Sequence, residues 1–252
     1  MKILVFDLET APILARVWRA WKENIPHKQI QTDWHLMSWA AKWLGDPPSK
    51  MMYMDQRRSK DMTDDKKIVD ALRKLINEAD VIIAHNGLKF DFIKINARML
   101  EHGMKPPAPT KKIDTCYLAR KHFGFTHNSL EALSDKLCKK YKKLKHKEFP
   151  GYELWDECLK GNPKAWREME KYNKHDVLAL EELYQALAPW DQMQFMIHGD
   201  DLVCKCGSSE LIKRGYAYTA CGKFQRYACN DCGHWTRDTR RWRNVSRTGV
   251  VR

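Results

Sequence analysis

The stretch "VFDLET", Val5–Thr10, places two carboxylates, Asp7 and Glu9, inside an apolar run. β-branched and aromatic residues fill this run and Pro12 follows it, so the sequence predicts a β-strand. Because side chains alternate along a strand, Asp7 and Glu9 then lie on the same face. Two charged groups in an apolar strand need compensation, which makes this strand the first candidate for a functional site.

Length and charge indicate the class of protein. A chain of 252 residues can form one α/β domain of about 150 to 200 residues plus a smaller unit. A net charge of +13 with 43% hydrophobic residues predicts a full core and a basic exterior. Such an exterior suits a polyanion, with nucleic acid ahead of an acidic membrane surface. No apolar run approaches the ~20 residues of a membrane span, and acids interrupt the opening segment too early for a signal peptide, so we expect a cytoplasmic protein.

Strand and helix patterns alternate along the first three quarters of the chain, which predicts an α/β layer fold. Two apolar segments around the turn signal "GDPPS" predict antiparallel strands beside the first one. A helix is predicted to follow a cap at Thr63 or Asp64. A long final helix is predicted to begin at the Asn162 cap and to stop before Pro189.

Two further acids join the first pair as candidates. Asp91 in "HNGLKFD" follows a predicted strand, and Asp176 in "YNKHD" lies on the final helix, four positions after Tyr172 and on the same helix face. Four carboxylates in one cleft repel each other unless cations neutralise them. Two Mg²⁺ or Mn²⁺ ions about 4 Å apart suit such oxygen ligands. Such a pair of ions can polarise a water and stabilise the leaving 3′ oxygen of a phosphodiester.

Each acid taken alone is more often structural, as a strand end or a helix cap, so the prediction depends on the order and spacing of them all. Together, "FDLET", "HNGLKFD" and "YNKHDV" resemble the three exonuclease motifs of the DnaQ-like (DEDD) 3′–5′ exonucleases, over residues 1–188. Because the third motif contains Tyr172, the chain resembles the DEDDy branch of this family. That branch includes the proofreading domains of family B DNA polymerases. The histidine branch has its His five residues before the last Asp, where this chain has Lys171.

The resemblance implies an RNase H-like fold, a mixed five-stranded sheet flanked by helices. It also implies that Asp7 bridges both ions, that Glu9 and Asp176 complete one ion site, and that Asp91 holds the other. An unperturbed phenol has a pKa of about 10. Tyr172 is therefore expected to orient the attacking water rather than to act as the base.

The same resemblance implies contacts with the substrate. Leu8 and Thr10 match positions that wedge against and hydrogen-bond the terminal nucleotide, and Asn86 and Phe90 fall in the second motif. The alternative for these residues is ordinary packing and turn formation. Asp114 could support the site or cap the following helix, and we favour the cap.

Cysteines predict a second metal site. Five of the eight cysteines fall in the last quarter of the chain, in the knuckles "CKCG" and "CNDCG" and at Cys221. In a reducing compartment such clusters indicate a metal, and four thiolates suit one structural Zn²⁺. The pattern resembles the zinc ribbons of phage DnaQ-like exonucleases, with Cys204, Cys206, Cys229 and Cys232 as ligands. Because the first knuckle is unusually short, Cys221 in place of Cys204 is the alternative.

The predicted domains are an exonuclease domain at 1–190, a zinc ribbon at 200–238 and a basic flexible tail at 239–252. Residues 200–252 contain eleven Lys or Arg against five Asp or Glu, with aromatic residues interspersed. Cations and aromatic rings together can grip phosphates and stack on unpaired bases. The seven lysines of 135–147 form either a solvated helix end or a second strip that tracks phosphates.

These features predict a metal-dependent 3′–5′ exonuclease that removes nucleoside monophosphates from single-stranded 3′ ends, with DNA favoured over RNA. Proofreading would require a DNA polymerase in trans, and a phage-encoded chain would act in the host cytoplasm. One alternative is a non-catalytic nucleic-acid-binding or replisome-tethering protein, although none of the acids is missing. The other is an RNase H-like structure-selective endonuclease.

Overall fold

The computed structural model describes residues 2–19, 21–142, 144, 148–191, 203–204, 206–219 and 222–238. The chain divides into two compact units, Lys2–Leu183 and a second unit that begins at Tyr184. The predicted α/β class, with a mixed five-stranded sheet and flanking helices, is confirmed. The predicted tail at 239–252 lies outside the described residues. In the part of the chain that is described, no helix combines the length and apolarity that a membrane span requires.

The first unit alternates strands and helices. Its strands are β1 (Ile3–Thr10), β2 (Leu14–Ala15), β3 (Ile30–Thr32), β4 (Leu36–Trp43), β5 (Met52–Asp55), β6 (Val81–Ala84) and β7 (Lys111–Asp114). Its helices are α1 (Lys66–Glu78), α2 (Asp91–Glu101), α3 (Thr115–His122), α4 (Leu130–Leu137), α5 (Glu153–Leu159) and α6 (Pro163–Leu187), the last of which runs into the second unit. Short 3₁₀ turns cover His27–Gln29, Pro48–Lys50 and Ala188–Trp190.

The main sheet has the order β5-β4-β1-β6-β7. β1 pairs antiparallel with β4, which pairs antiparallel with β5, so the two strands predicted beside the first are confirmed. On its other edge β1 pairs parallel with β6, and β6 pairs parallel with β7. The strand that carries Asp7 and Glu9 is therefore the centre of the sheet.

The two faces of β1 have different roles. Leu4, Phe6 and Leu8 point into a core cluster built with α1 and α2, where the Phe6 and Phe92 ring centroids are 5.9 Å apart. Side-chain alternation sends Asp7 and Glu9 to the opposite face. The first face supplies the apolar burial that holds the strand, and the second face is left for polar chemistry.

A β-bulge interrupts the pairing of β1 with β4 at the end of the acidic stretch. Glu9 lies opposite Ser38 and Thr10 lies opposite Leu36, so Met37 is the additional residue. Met37 packs in a second core cluster that includes Trp166 of α6. A bulge bends and twists its strand and commonly re-aims side chains beside a functional site.

The predicted start and end of the last helix are confirmed. The Asn162 side chain accepts a hydrogen bond from the Lys164 N–H at 3.0 Å, Pro163 is the first helical residue, and the helix ends two residues before Pro189. Helix α5 was not predicted. It has only 7 residues, of which Leu154 and Cys158 are buried, and so short a segment shows no clear helical period.

The predicted cap of α1 is wrong by one or two residues. The N-cap position is Asp65 rather than Thr63 or Asp64. The fully buried Asp65 carboxylate accepts a hydrogen bond from the Leu36 N–H at 2.6 Å and pairs with Arg98, whose Nε lies 2.7 Å from Oδ2. The Asp65 carboxylate therefore binds Leu36 and Arg98, which are distant in sequence, and makes no side-chain hydrogen bond to the start of its own helix.

The second unit contains a three-stranded antiparallel sheet of order β10-β9-β8, formed by β8 (Leu211–Thr219), β9 (Gly222–Cys229) and β10 (Trp235–Arg237). Two turns bring cysteines together beside it. Gly207 and Gly233, each directly after a cysteine, have φ angles of 89° and 72°, a conformation that favours glycine. Their N–H groups donate to the Cys204 and Cys229 carbonyl groups, which closes each turn.

A buried ion pair joins β4 to α6. The Lys42 side chain is 1% exposed, and its Nζ lies 2.6 Å from Glu181 Oε2. Lys42 also donates to the Asp46 carbonyl at 2.5 Å, while Glu181 Oε1 accepts the Gly45 N–H at 2.8 Å. The pair fixes α6 against the turn that follows β4.

We predict that Lys42→Met destabilises the protein by about 3–5 kcal/mol, because Glu181 is left buried without its cation. Lys42→Met combined with Glu181→Leu should recover much of this loss, since no charge then stays buried. Urea unfolding at constant pH measures both variants. Lys160→Met, which breaks an exposed pair with Glu157, serves as the control and should leave the free energy of unfolding nearly unchanged. Equal losses in the single and double variants would contradict the prediction.

Candidate active site

Three of the predicted acids meet on one side of the sheet. Asp7, Glu9 and Asp176 each offer a carboxylate oxygen, and these three oxygens lie within 4.8 Å of one another. Glu9 and Asp176 are buried, and Asp7 is half-buried. The residues come from β1 and α6, which are separated by more than 150 positions in sequence. The charges are close enough for a shared cation to compensate them.

Asn173 holds Asp7 in place. Its Nδ2 donates to Asp7 Oδ2 at 2.7 Å and also lies 3.3 Å from the Asp7 carbonyl oxygen. Its Oδ1 accepts the Ser38 hydroxyl at 3.3 Å, and the whole side chain is buried. Sequence reasoning missed this residue, although "YNKHD" contains it, because the pattern does not indicate which strand its amide faces.

Trp155 plays the same part for Glu9. The indole Nε1 donates to Glu9 Oε2 at 3.1 Å. The Trp155 ring meets the ring of the buried Tyr172 edge-on, with centroids 6.0 Å apart and an interplanar angle of 81°. One side chain thus contacts both the Glu9 carboxylate and the Tyr172 phenol. It was missed because it lies on α5, the helix that was not predicted.

Asp91 lies beside β1 but outside the group of three. It is the first residue of α2, and its Oδ1 accepts the Leu8 N–H at 3.1 Å. Among the described residues, only Asp7, Glu9 and Asp176 form the tight carboxylate group. Burial raises the pKa of Asp91 to about 7, and the charge of Asp114 adds to the rise, while the Leu8 N–H opposes it. Burial therefore shifts the Asp91 carboxyl toward its protonated form near neutral pH unless a cation compensates this burial.

Asp114 organises the second motif. As predicted, it caps the following helix α3, accepting the N–H groups of Cys116 at 2.9 Å and Tyr117 at 3.1 Å. The same carboxylate also accepts the N–H groups of Asn86 at 2.9 Å and Leu88 at 3.1 Å. The Asp114 carboxylate therefore both caps α3 and supports the turn that precedes Asp91.

The turn between β6 and α2 has a special backbone. Asn86 adopts a φ of 60°, a conformation that Asn tolerates better than most residues. A Cβ atom at Gly87 would lie 2.7 Å from the Ala84 Cβ and 2.8 Å from the Phe92 ring. Glycine at this position lets the chain pass close to the core and then enter α2 with Asp91 facing β1.

The predicted substrate contacts occupy different environments. Leu8 is only 4% exposed and belongs to the core cluster, which favours the packing alternative for its side chain. Thr10 is half-buried beside the bulge, and Asn86 is half-buried in the turn. Phe90 is half-buried at the N-cap of α2, where Lys94 Nζ lies 5.7 Å from its ring centroid. For Thr10, Asn86 and Phe90 a contact with substrate stays a prediction.

The lysine-rich segment lies against α6. Glu182 accepts the backbone N–H groups of Lys139, Lys140 and Tyr141 at 2.6 to 3.2 Å, and His175 Nε2 lies 2.6 Å from the Lys142 carbonyl. The backbone is thereby held while the side chains of Lys139 and Lys140 are exposed. This segment, residues 135–147, begins in the last turn of α4, and four of its residues, 143 and 145–147, lie outside the described part.

The four predicted zinc ligands converge in the second unit. The Sγ atoms of Cys204, Cys206, Cys229 and Cys232 lie within 4.8 Å of one another. The Cys204–Cys232 and Cys206–Cys229 Sγ distances are 3.5 and 3.7 Å. Tetrahedral Zn²⁺ with Zn–S bonds near 2.3 Å places sulfur atoms about 3.8 Å apart. The alternative ligand Cys221 lies outside the described residues.

Both clusters fit the chemistry of the ions expected there. Carboxylate oxygens are the ligands that Mg²⁺ and Mn²⁺ prefer, and thiolates are those that Zn²⁺ prefers. Burial raises the pKa of Cys204. At Cys229 burial also acts to raise the pKa. Hydrogen bonds to its sulfur, including those from the N–H groups of Cys232 and Asp231, outweigh burial and lower the pKa to about 7. Such a thiol is readily deprotonated for metal binding.

Comparison with known proteins gives the family and the fold. The RNase_H superfamily model matches residues 46–188, which include Asp91, Tyr172 and Asp176 but not β1. A family B DNA polymerase from the hyperthermophilic archaeon Pyrobaculum calidifontis has a similar structure, with a TM-score of 0.53 and 15% sequence identity. The likeness covers 75% of this chain and 25% of the polymerase chain, so the chain spans only a part of that protein. No curated protein sequence matches the chain. Since the family match covers more than half of the sequence, the chain belongs to the RNase_H superfamily.

Proposed function

We propose that this chain is a metal-dependent 3′–5′ exonuclease of the DEDDy type, which removes nucleoside monophosphates from single-stranded DNA ends. The observation that carries the proposal is the meeting of Asp7, Glu9 and Asp176 within 4.8 Å, one helical turn from Tyr172. Membership of a nuclease superfamily and the fold shared with a DNA polymerase support it.

In this proposal two Mg²⁺ or Mn²⁺ ions, when bound, polarise a water and stabilise the leaving 3′ oxygen. Asp7 would help to hold both ions, Glu9 and Asp176 would complete one site, and Asp91 would hold the other. Asn173 keeps the Asp7 carboxylate aimed at the cluster, since it donates to one oxygen and to the carbonyl of the same residue.

Tyr172 is proposed to orient the attacking water. Its ring is held edge-on by Trp155, which also donates to Glu9, so the phenol and the carboxylate are positioned by one side chain. Side chains that are positioned through neighbouring hydrogen bonds and packing lose less entropy on reaching a reactive geometry. This shared positioning favours catalysis over a purely binding role.

The second unit is proposed to be a zinc ribbon that helps to hold the nucleic acid strand. One Zn²⁺ bound by Cys204, Cys206, Cys229 and Cys232 would stabilise a unit with a small core. Arg226 lies over the Trp235 ring at 4.9 Å and Arg237 over Phe224 at 4.3 Å. Cations beside aromatic rings suit phosphates and unpaired bases. A DNA polymerase acting in trans is the proposed protein partner.

The first test is cleavage of 5′-end-labelled single-stranded DNA and RNA in Mg²⁺ or Mn²⁺. We expect a ladder that shortens from the 3′ end, that is lost in Asp7→Ala and that is stronger on DNA. Asp70→Ala removes a carboxylate of α1 that pairs with Lys74 and should leave the ladder unchanged. Binding without cleavage in either metal would favour the non-catalytic alternative, and internal cuts would favour the endonuclease.

The second prediction concerns the positioning residues. Asn173→Ala should raise the Mg²⁺ concentration for half-maximal activity by about 10–100-fold, because Asp7 loses the donors that orient it. Trp155→Phe keeps an aromatic ring beside Tyr172 but removes the donor to Glu9, and should act in the same direction. Calorimetric titration with Mn²⁺ gives the corresponding loss of affinity without substrate.

A matched control for these variants is Asn96→Ala, which removes an exposed amide on α2. Thermal melting shows whether each variant is folded. If folded Asn173→Ala had the metal dependence of the wild type, the proposed role of Asn173 would be wrong.

The third prediction concerns zinc. Elemental analysis of the full chain should find about one zinc per chain. Cys204→Ser should lose zinc while Cys221→Ser keeps it, and the reverse result would exchange the two ligands. A content far below one zinc in the wild-type chain would contradict four-thiolate ligation.

A further inference from the structure

An extended arm leaves the catalytic strand. We call residues 12–19 and 21–33 the aromatic arm; it begins two residues after the end of β1 and ends three residues before the start of β4. Its two sides pair briefly, with Leu14 opposite Thr32 and Ala15 opposite Ile30. The Arg16 N–H donates to the Gln29 carbonyl at 3.0 Å and extends this pairing by one step.

Large apolar side chains of the arm face solvent. Trp18 is 88% exposed and Trp21 is 78% exposed, whereas Trp39 and Trp166 of the core are buried. Other exposed apolar residues in the arm are Ile13, Leu14, Val17 and Ile25. Six large apolar side chains exposed within 13 residues of sequence are more than the singly scattered ones of an ordinary surface, which makes the arm a candidate binding site.

Hydrogen bonds and ring contacts brace the arm. The Glu23 carboxylate accepts the N–H groups of Trp18 at 3.4 Å and Arg19 at 2.6 Å, which ties the outer turn together. At the base, the Trp34 ring has Lys94 Nζ 3.5 Å and Arg98 Cζ 5.8 Å from its centroid. The two exposed tryptophans are therefore presented on a structured segment.

The charge of the arm selects among binding partners. It contains four Lys or Arg, all exposed, at positions 16, 19, 22 and 28, against two acids, Glu23 and Asp33. The cations alternate with the tryptophans along the chain, as in "RVWRAWK". An apolar protein surface offers no counterpart for these cations, whereas a single-stranded nucleic acid offers phosphates at every step and base faces for the rings.

We propose that the aromatic arm binds single-stranded nucleic acid, with Trp18 and Trp21 stacking on unpaired bases and the exposed cations contacting phosphates. The inference rests on the proposed nuclease function, because the arm continues the strand that carries Asp7 and Glu9. A strand held on the arm is thereby tethered to the element that bears the candidate catalytic acids.

Fluorescence anisotropy with a labelled single-stranded oligothymidine tests this directly. Measured on the full chain carrying Asp7→Ala, which stops cleavage without a chelator that would also remove zinc, Trp18→Ala/Trp21→Ala should weaken binding by at least about tenfold. Trp18→Phe/Trp21→Phe keeps stacking rings and should retain most of the affinity. Arg19→Gln/Lys22→Gln should reduce the slope of log affinity against log salt by about 0.7 for each phosphate that the arm no longer neutralises.

Two controls separate this inference from the proposed function. Leu100→Ala removes an exposed apolar side chain of α2 and should leave the affinity unchanged. Asp7→Ala should lose cleavage while the same variant still binds the oligonucleotide. If the Asp7→Ala chain binds but adding Trp18→Ala/Trp21→Ala leaves its affinity within twofold, only the arm inference fails. If the Asp7→Ala chain binds no single strand, both proposals fail.

Discussion

The mutual repulsion of three carboxylates is the constraint on which the rest of the first unit depends. Asp7, Glu9 and Asp176 lie closer together than like charges tolerate without compensation. They stay there because stronger constraints fix their backbones. The apolar face of β1 is buried in the core, and α6 is held by a packed cluster and a buried ion pair. The favourable free energy of the packed core thus offsets the repulsion among the three carboxylates.

The surrounding polar groups do more than relieve this repulsion. Asn173, Trp155 and the Leu8 N–H each donate to a different acid, so the carboxylates are oriented individually. These donors come from α6, α5 and β1; the two helices share a core cluster, and β1 is the central strand of the sheet. Orientation by rigid elements, rather than by loops, is what a site for two cations and a scissile phosphate requires.

Sequence reasoning found the elements with a long or regular pattern. The acids in β1, the start of α6 at Asn162 and the cap at Asp114 follow from local chemistry that is visible in the sequence. The misses have two physical causes. Helix α5 is too short to show a period, which concealed Trp155. Asn173 and Asp65 act through partners more than 30 positions away, Asp7 in one case and Arg98 in the other, and no local pattern predicts such a pairing.

Helix α6 also restricts how the chain length can change. It holds Asn173 against Asp7 and, two turns later, Glu181 against Lys42. Each residue of an α-helix turns the chain by about 100°. One amino acid inserted or deleted between these two contacts would swing one of them away from its partner, so that the site and the anchor could not both survive. Insertions and deletions within this interval should therefore be rejected during evolution. The aromatic arm connects β1 to β4 but lies outside the main sheet, so its length can change without moving either contact.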